Sequence, residues 1–311
     1  MAARSTLASP QAGYNPRRRR GGQARYLAMV IRTHTVKTLF ALSPAKLNLF
    51  LHVTGRRPDG YHSLQTVFQL LNWGDDMRFE WRDSPEITLS GDTDDIVPKD
   101  NLILRAAKLI TPGDQGAHIH VHKRIPRGGG MGGGSSNAAT TLLALNHLWG
   151  LELTLDALLR IGEPMGADVP VFIHGQSAWA EGIGGKLTPL SLPKRWFVIA
   201  QPNCVVSTAE IFAHPELTRQ TPPITVQAFF SGAGRNDLQA VVSNQYPEVR
   251  LAVEWLREHS PNARMTGSGA CVFASVENEQ KARSIAEQAP AGLAVIVAEG
   301  LDRLPDMQEV T

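Results

Sequence analysis

Three things are scarce in this sequence, and each scarcity removes a class of protein. Cysteine occurs twice in 311 residues, as Cys204 and Cys271, too few and too far apart for a disulfide framework or a thiolate metal site. A reducing cytosol is the simplest setting for such a chain, and a cytoplasmic location is expected. No apolar run approaches the ~18 residues that a spanning helix needs, so no membrane partner is expected. Acidic residues are missing from residues 1–37, where eight basic side chains stand: Arg4, Arg17, Arg18, Arg19, Arg20, Arg25, Arg32 and Lys37. This local imbalance is the source of the isoelectric point of about 8.6. The whole chain has 31 basic and 29 acidic residues, so everything after Lys37 holds 23 against 29, a formal charge of −6. An acidic body gives no footprint for a polyanion, and nucleic acid is not expected as a partner. The basic segment itself lacks an export-signal core, since Tyr26 to Ile31 is shorter than the ~7–15 apolar residues required. It is also poor in serine for an organellar presequence. Residues 1–37 therefore read as a disordered basic extension, with Met29 as a candidate start.

What remains is ordinary globular material, 42% apolar and 19% charged, of a length that suits two domains. Residues 38–53 read as strand, turn, strand around Ser43-Pro44. Further strands are expected at 67–71, 77–81, 86–90 and 117–121, the last from clean alternation. Residues 101–110 have helical spacing, with Leu102, Ala106 and Leu109 on one face. The best helix is 136–149, where Ala138, Leu142, Leu145 and Trp149 recur at helical intervals, Ser135 and Ser136 are available as caps, and Gly150 is a stop. In the second half, strands are expected at 196–200, 270–276 and 293–298, and helices at 237–242, 249–258 and 279–288. Strands followed by helices in both halves give an α+β fold of two domains joined near 180–195.

The dominant feature is Pro126-Arg127-Gly128-Gly129-Gly130-Met131-Gly132-Gly133-Gly134-Ser135-Ser136-Asn137, between a strand and a helix. Six glycines in the seven positions 128–134 raise the entropy cost of ordering, which a plain turn has no need to meet. Their use is to bring backbone N–H groups close around an anion, next to the positive end of the following helix. A phosphate site is the natural reading. Gly128, Gly130 and Gly133 formally match G-x-G-x-x-G, but the acidic residues ~20 positions on, Glu152 and Asp156, fall in a second helical stretch, so the dinucleotide context fails. A Walker loop requires Gly-Lys-Ser/Thr where Gly-Ser-Ser stands. A protein-kinase glycine loop requires a strand where this chain has a helix.

The proline, the glycine run, the two serines and the alanine-rich helix of PRGGGMGGGSSNAAT resemble the signature of the GHMP small-molecule kinases. MTGSGACVF (265–273) resembles the family's C-terminal glycine motif, and GADVPVF (166–172) its middle motif. SPAKLNLFLHVTGRRPDGYHSLQTVFQ (43–69) resembles the opening of the branch that acts on a cytidine diphosphate conjugate. The resemblance runs from about Leu42 to Ala298. It implies an ATP-dependent phosphorylation of a hydroxyl on a small molecule. It also implies a ribosomal-protein-S5-like N-terminal domain (38–189) and a ferredoxin-like C-terminal domain (190–300), leaving 301–311 as a tail.

Residue roles follow from the same resemblance, and each has a plainer alternative. Asp168 is the implied catalytic carboxylate; otherwise it is an N-cap ahead of Pro170. Lys46 is the implied catalytic lysine, paired with Asp168; otherwise it is the solvated face of an edge strand. Asn48, two residues on, shares the face of Lys46 by strand alternation and can reach the same substrate. Tyr61 and His62 are implied to recognise the cytosine, by stacking and hydrogen bonding, with Phe212 as the second aromatic of the clamp; without the resemblance they are turn-flanking and core residues. ATP is implied to bind along Pro126–Ser136, with Asn101 and Leu102 at the adenine. With no lysine in the loop, Mg²⁺ is expected as the counter-charge of ATP, its ligands unnamed. His118, His120 and His122 share one strand face at a spacing that could gather a metal. They read instead as a partly solvated face with no acid beside it, and no metal is assigned to them. Three rivals stand beside the cytidyl kinase: another GHMP kinase (mevalonate, homoserine or galactose), a non-catalytic sensor of the same fold, and, distantly, an NAD-dependent dehydrogenase. The segment GRRPDGYHSLQT argues against the first, and Lys46 with Asp168 against the second.

Overall fold

The computed structural model describes residues 37–93 and 96–310. The reading of 1–37 as a disordered extension falls, save for Lys37, outside the described residues. The fold is built on two long antiparallel strands, β1 (Thr38–Arg56) and β2 (His62–Arg82). The turn expected at Ser43-Pro44 is a bulge inside one continuous strand: the register shifts between Pro44 and Lys46, where proline has no N–H to give the ladder, and again between Asn48 and Leu51. The expected strands 67–71 and 77–81 likewise merge into β2.

These bulges let one strand serve three cores. Leu39 and Ala41 of β1 enter an N-terminal core, Ala45 and Leu47 a middle layer, and Leu51 and Val53 a C-terminal core. The N-terminal core is completed by β3 (Ile87–Gly91), α1 (Leu102–Ile110), β4 (Gly116–His122), α2 (Gly133–Leu148), α3 (Leu155–Gly162), α4 (Val169–His174), β5 (Ala178–Gly182) and β6 (Lys186–Pro189). Helix α2 is buried nearly all round, which is why its alanines and leucines recur without an opposing charged face. Its stop is Gly150, at φ +58°.

The second half runs through β7 (Trp196–Gln201), α5 (Thr208–Ala213), α6 (Val226–Phe230), α7 (Gln239–Gln245), α8 (Pro247–His259), β8 (Arg264–Met265), β9 (Val272–Val276), α9 (Glu279–Ala286), β10 (Ala294–Leu301) and β11 (Gln308–Val310). The sheet order is β11-β1-β2-β10-β7-β9-β8, so β10 joins the two halves by pairing Gly300 with Leu71 and Leu301 with Leu70. Of the segment 301–311, expected to be a tail, the described residues 301–310 turn back: β11 pairs with the start of β1, Met307 packs on the N-terminal core, and Glu309 meets His147 at 2.7 Å. Its hydrophobic content is too low to show in a periodicity count, and its partners are far off in sequence, 162 residues for His147 and more for β1. Among the described residues no helix is long and apolar enough to cross a membrane.

Candidate active site

The β1 bulges bracket Lys46, Leu47 and Asn48, and this re-aims two polar side chains into a cleft floor. Lys46 is 3% exposed, and its ammonium lies 3.1 Å from Asp168 Oδ2 and 2.6 Å from Asn48 Oδ1. Asp168 occupies the N-cap position of α4 but makes no side-chain capping bond, so the plainer reading of it as a cap fails. Its carboxylate turns to Lys46 and stays 30% exposed, open to the cleft. Asn48 is held on every side. Its Nδ2 donates to Thr66 Oγ1 at 3.0 Å, its N–H donates to Thr266 Oγ1 at 2.9 Å, and the Thr66 hydroxyl donates to the carbonyl of Phe50. A lysine this buried with a carboxylate and an amide oxygen as partners is not an edge-strand surface residue.

The glycine run forms the wall above this floor. Its carbonyls are pinned outward: Gly128 O accepts from Ala270 N at 2.9 Å, Gly129 O from Cys271 N at 3.2 Å, and Met131 O from Lys46 N at 3.0 Å. In a trans peptide the N–H points opposite to its C=O, so the bonds at the Gly129 and Met131 carbonyls turn the Gly130 and Gly132 amides the other way, whereas the Gly129 N–H donates back to Pro126 O at 3.3 Å. Helix α2 then starts at Gly132 with no side-chain cap, so its first-turn donors are also uncommitted by any side chain. Gly130 can only be glycine. Its φ is +72°, and a Cβ there would sit 2.2 Å from the Thr266 carbonyl oxygen. The C-terminal glycine motif, Thr266 to Gly269, thus packs directly on the loop, and Gly267, Ser268 and Gly269 line the same cavity of about 520 Å³.

Two further cavities adjoin it. One of about 920 Å³ shares Leu64, Ala167, Ile183, Thr208 and Phe212 with the central cavity and adds Tyr61, His62, Arg56 and Arg219. The other, of about 240 Å³, shares Leu102, Lys123, Arg127 and Gly134 and adds Asn101. A long molecule could therefore run from one end to the other past Lys46 and Asp168.

The family model for the N-terminal domain of GHMP kinases matches residues 101–176, and that for the GHMP kinase C-terminal domain matches 225–294. The 4-diphosphocytidyl-2-C-methyl-D-erythritol kinase of Marinobacter nauticus is 49% identical over 277 residues, covering 86% of this chain and 96% of its own. The enzyme of the same name from Cupriavidus metallidurans is 52% identical over 258 residues, covering 80% and 88%. This chain belongs to the GHMP kinase family. A crystal structure of a 4-(cytidine 5'-diphospho)-2C-methyl-D-erythritol kinase is 33% identical, with a TM-score of 0.72 over 84% of this chain and 98% of that one. A homoserine kinase from Cytophaga hutchinsonii, at 16% identity and a TM-score of 0.59, shares the fold alone. The two-domain α+β architecture is that of a GHMP kinase, and the chain is a phosphotransferase.

Within this kinase the expected residues are not all where the resemblance puts them. Lys46, Asn48, Asp168, Leu102 and Pro126 through Ser135 line the central cavity. Ser136 does not. It is fully buried and accepts a hydrogen bond from Ser43 Oγ at 2.8 Å, tying α2 to β1. Neither Ser135 nor Ser136 caps α2, because that helix begins earlier, inside the glycines. Asn101 is spent on its own helix: its Oδ1 accepts from Ile103 N at 2.9 Å and caps α1 at the edge of the smaller cavity. The Tyr61–Phe212 clamp is not assembled. The ring over Phe212 is His62, stacked at 5.2 Å and 29°, while Tyr61 is 68% exposed at the cavity rim. Burial, with Arg219 and Arg56 nearby, holds the His62 imidazole below its ordinary range.

Sequence reasoning also missed a lysine beside the glycine loop. Lys123, three residues before Pro126, lines both the central and the smaller cavity. It ion-pairs with the fully buried Asp75 and donates to Asn137 Oδ1 at 2.7 Å. The signal lay in a charge at the strand end, outside the motif itself. The histidine face has an acid after all, since His122 Nδ1 is 3.0 Å from Asp92. His118 and His120 bond instead to the hydroxyls of Thr88 and Ser90 on the neighbouring strand β3.

Proposed function

We propose that this kinase transfers the γ-phosphoryl group of ATP to the 2-hydroxyl of 4-diphosphocytidyl-2-C-methyl-D-erythritol, a step of the non-mevalonate route to isoprenoid precursors. The observation that carries the reading is the Lys46–Asp168 pair, 3.1 Å apart, on the floor between the glycine loop and the cavity that holds His62 and Phe212. Relatives about half identical over four-fifths of the chain bear the name of that activity. ATP lies with its phosphates against the amides of 128–134 and the start of α2, and its base toward Leu102 in the smaller cavity. The cytidyl end of the acceptor lies in the larger one.

The chemistry asks little covalent work of the protein. Asp168 accepts the proton of the acceptor hydroxyl as its oxygen bonds to the γ-phosphorus. The bond from that phosphorus to the β,γ-bridging oxygen breaks, and ADP leaves with the electron pair. Lys46 balances the carboxylate and presents positive charge to the phosphoryl group in flight. Mg²⁺ fits as an ion that arrives on the nucleotide. The cleft offers hard oxygens from Ser135 and Asp168, and no group of three or more metal-binding side chains is present among the described residues. Bound there, it would neutralise phosphate charge.

Measurement of ADP release with the cytidyl substrate, against mevalonate, homoserine and galactose, tests the proposal. Turnover is expected with the first alone. Comparable turnover with any of the others, or none with the first, overturns it.

A further inference from the structure

Arg219 belongs to no motif, yet its guanidinium is the most completely fixed group in the larger cavity. Its Nη1 donates to Leu217 O at 3.1 Å, and its Nη2 donates to Phe212 O at 3.0 Å and His214 O at 2.7 Å. Two carbonyls at the C-terminal end of α5 and a third, Leu217 O, in the segment after it thereby hold the fork in one orientation, and that orientation aims Nε at His62, 3.2 Å from its Nε2. An arginine has no acceptor and does not give up its charge, so the bond runs one way: Nε–H donates and His62 Nε2 accepts. A histidine whose Nε2 is occupied as an acceptor must carry its single proton on Nδ1. No other partner of the His62 ring nitrogens is present among the described residues.

We infer that Arg219 is a positioning residue that locks His62 into the Nδ1–H tautomer, so that this ring offers the substrate's base a donor at N3 and selects a pyrimidine whose N3 is an acceptor. The inference rests on the reading that His62 meets the base. Cytosine has a bare N3 and a carbonyl O2, both acceptors, where uracil has N3–H. Since O2 is an acceptor in both bases, the choice is made at N3: a His62 donor set against N3 pairs with cytosine and opposes the uracil N3–H. A histidine free to switch tautomer could serve either base. The surroundings agree with the lock: burial first, and then the guanidiniums Arg219 and Arg56, lower the pKa of the imidazole from its ordinary value. The same arginine joins the two walls of the cavity, since it anchors the Phe212 carbonyl while holding the ring that stacks on Phe212.

The test has two arms. In the unmodified full-length enzyme labelled with ¹⁵N-histidine, with His62→Gln to assign the signal, His62 should show a protonated Nδ1 and an unprotonated Nε2 at neutral pH. The opposite tautomer, an even mixture, or an imidazolium overturns the inference. In the second arm, kcat/KM is measured for the cytidyl substrate and its uridyl analogue with the enzyme and with Arg219→Met. The preference for cytidyl over uridyl should fall about tenfold or more in the variant, the size expected when a buried donor-to-donor clash is relieved, with KM for ATP unchanged. An unchanged preference in a folded Arg219→Met enzyme overturns the inference; should that variant fail to fold, the tautomer measurement decides alone. The failure of the proposed function looks different: no turnover of the cytidyl substrate by the unmodified enzyme, whatever the tautomer.

Discussion

Replacing Lys46 by methionine separates chemistry from folding, because the structure gives the two effects different sizes. The side chain is 3% exposed and its ammonium has Asp168 and Asn48 as partners. Methionine keeps most of the apolar stem and removes the ammonium, which lies 5.4 Å from the Phe68 ring centroid and donates to Asn48 Oδ1. Exchanging a buried ion-pair member for an apolar isostere costs most when it strands its partner in a dry site. Asp168 is not stranded, since its carboxylate is 30% open to the cleft and can be solvated. The stranded group is Asn48 Oδ1, buried and left without its donor, so the loss of stability should be about 1–3 kcal/mol. Turnover is another matter. Removal of one preorganised charge beside a transferring group typically lowers kcat by about 10²–10³, or ~2.7–4 kcal/mol in the barrier. The assay is kcat and nucleotide affinity alongside the melting temperature. We expect kcat to fall by two to three orders of magnitude, with the affinity for ATP within about threefold and a shift of several degrees. A variant that turns over within fivefold of the parent refutes the role of Lys46. A collapse of the fold, with activity lost only in proportion, refutes the reasoning about Asp168.

Gly130→Ala should abolish nucleotide binding, and its melting temperature should drop by several degrees. The φ of +72° strains any side chain by about 1–2 kcal/mol, and the added Cβ would meet the Thr266 carbonyl at 2.2 Å; equilibrium binding of a fluorescent nucleotide checks it. Cys271 is fully buried under the loop, and burial pushes its thiol up to about 12. An alkylating reagent at pH 8 should thus modify the half-buried Cys204 first and leave Cys271 untouched until unfolding, as mass spectrometry would show. Because the folded thiol titrates above the unfolded one, this group's stabilising contribution is complete below about pH 9 and declines as pH rises toward 12.

Strong local signals were legible in the sequence. The spacing of Ala138, Leu142, Leu145 and Trp149 marks α2, and glycine density marks the phosphate loop. Neither needs knowledge of the rest of the chain. What depended on distant partners was not legible. Ser136 looks like a cap because serine precedes an apolar helix, but the glycines ahead of it already adopt the helical start, and Ser43 on a strand 93 residues away takes its hydroxyl. Pro44 looks like a turn because proline breaks ladders, whereas in a long two-strand ribbon a bulge satisfies the same constraint. Lys123 and Arg219 lie in no motif, and only the fold carries them to the cavities.

The bulges on either side of Lys46–Asn48 in β1 connect these observations. A regular strand would put Lys46, Asn48 and the residues at 44 and 50 in one straight row, all facing the same layer. The register shifts on both sides of Lys46–Asn48 break that row, so β1 can bury Leu39 in one core and Val53 in another while three residues between them are re-aimed. Lys46 contributes from both its ends: its N–H fixes the Met131 carbonyl and with it the glycine loop, and its ammonium fixes Asp168. The glycine wall and the Asp168 carboxylate are thus registered to each other through a single residue. A change that removed the bulge by restoring regular pairing at Pro44 would shift the loop and the carboxylate together, even with every site residue in place.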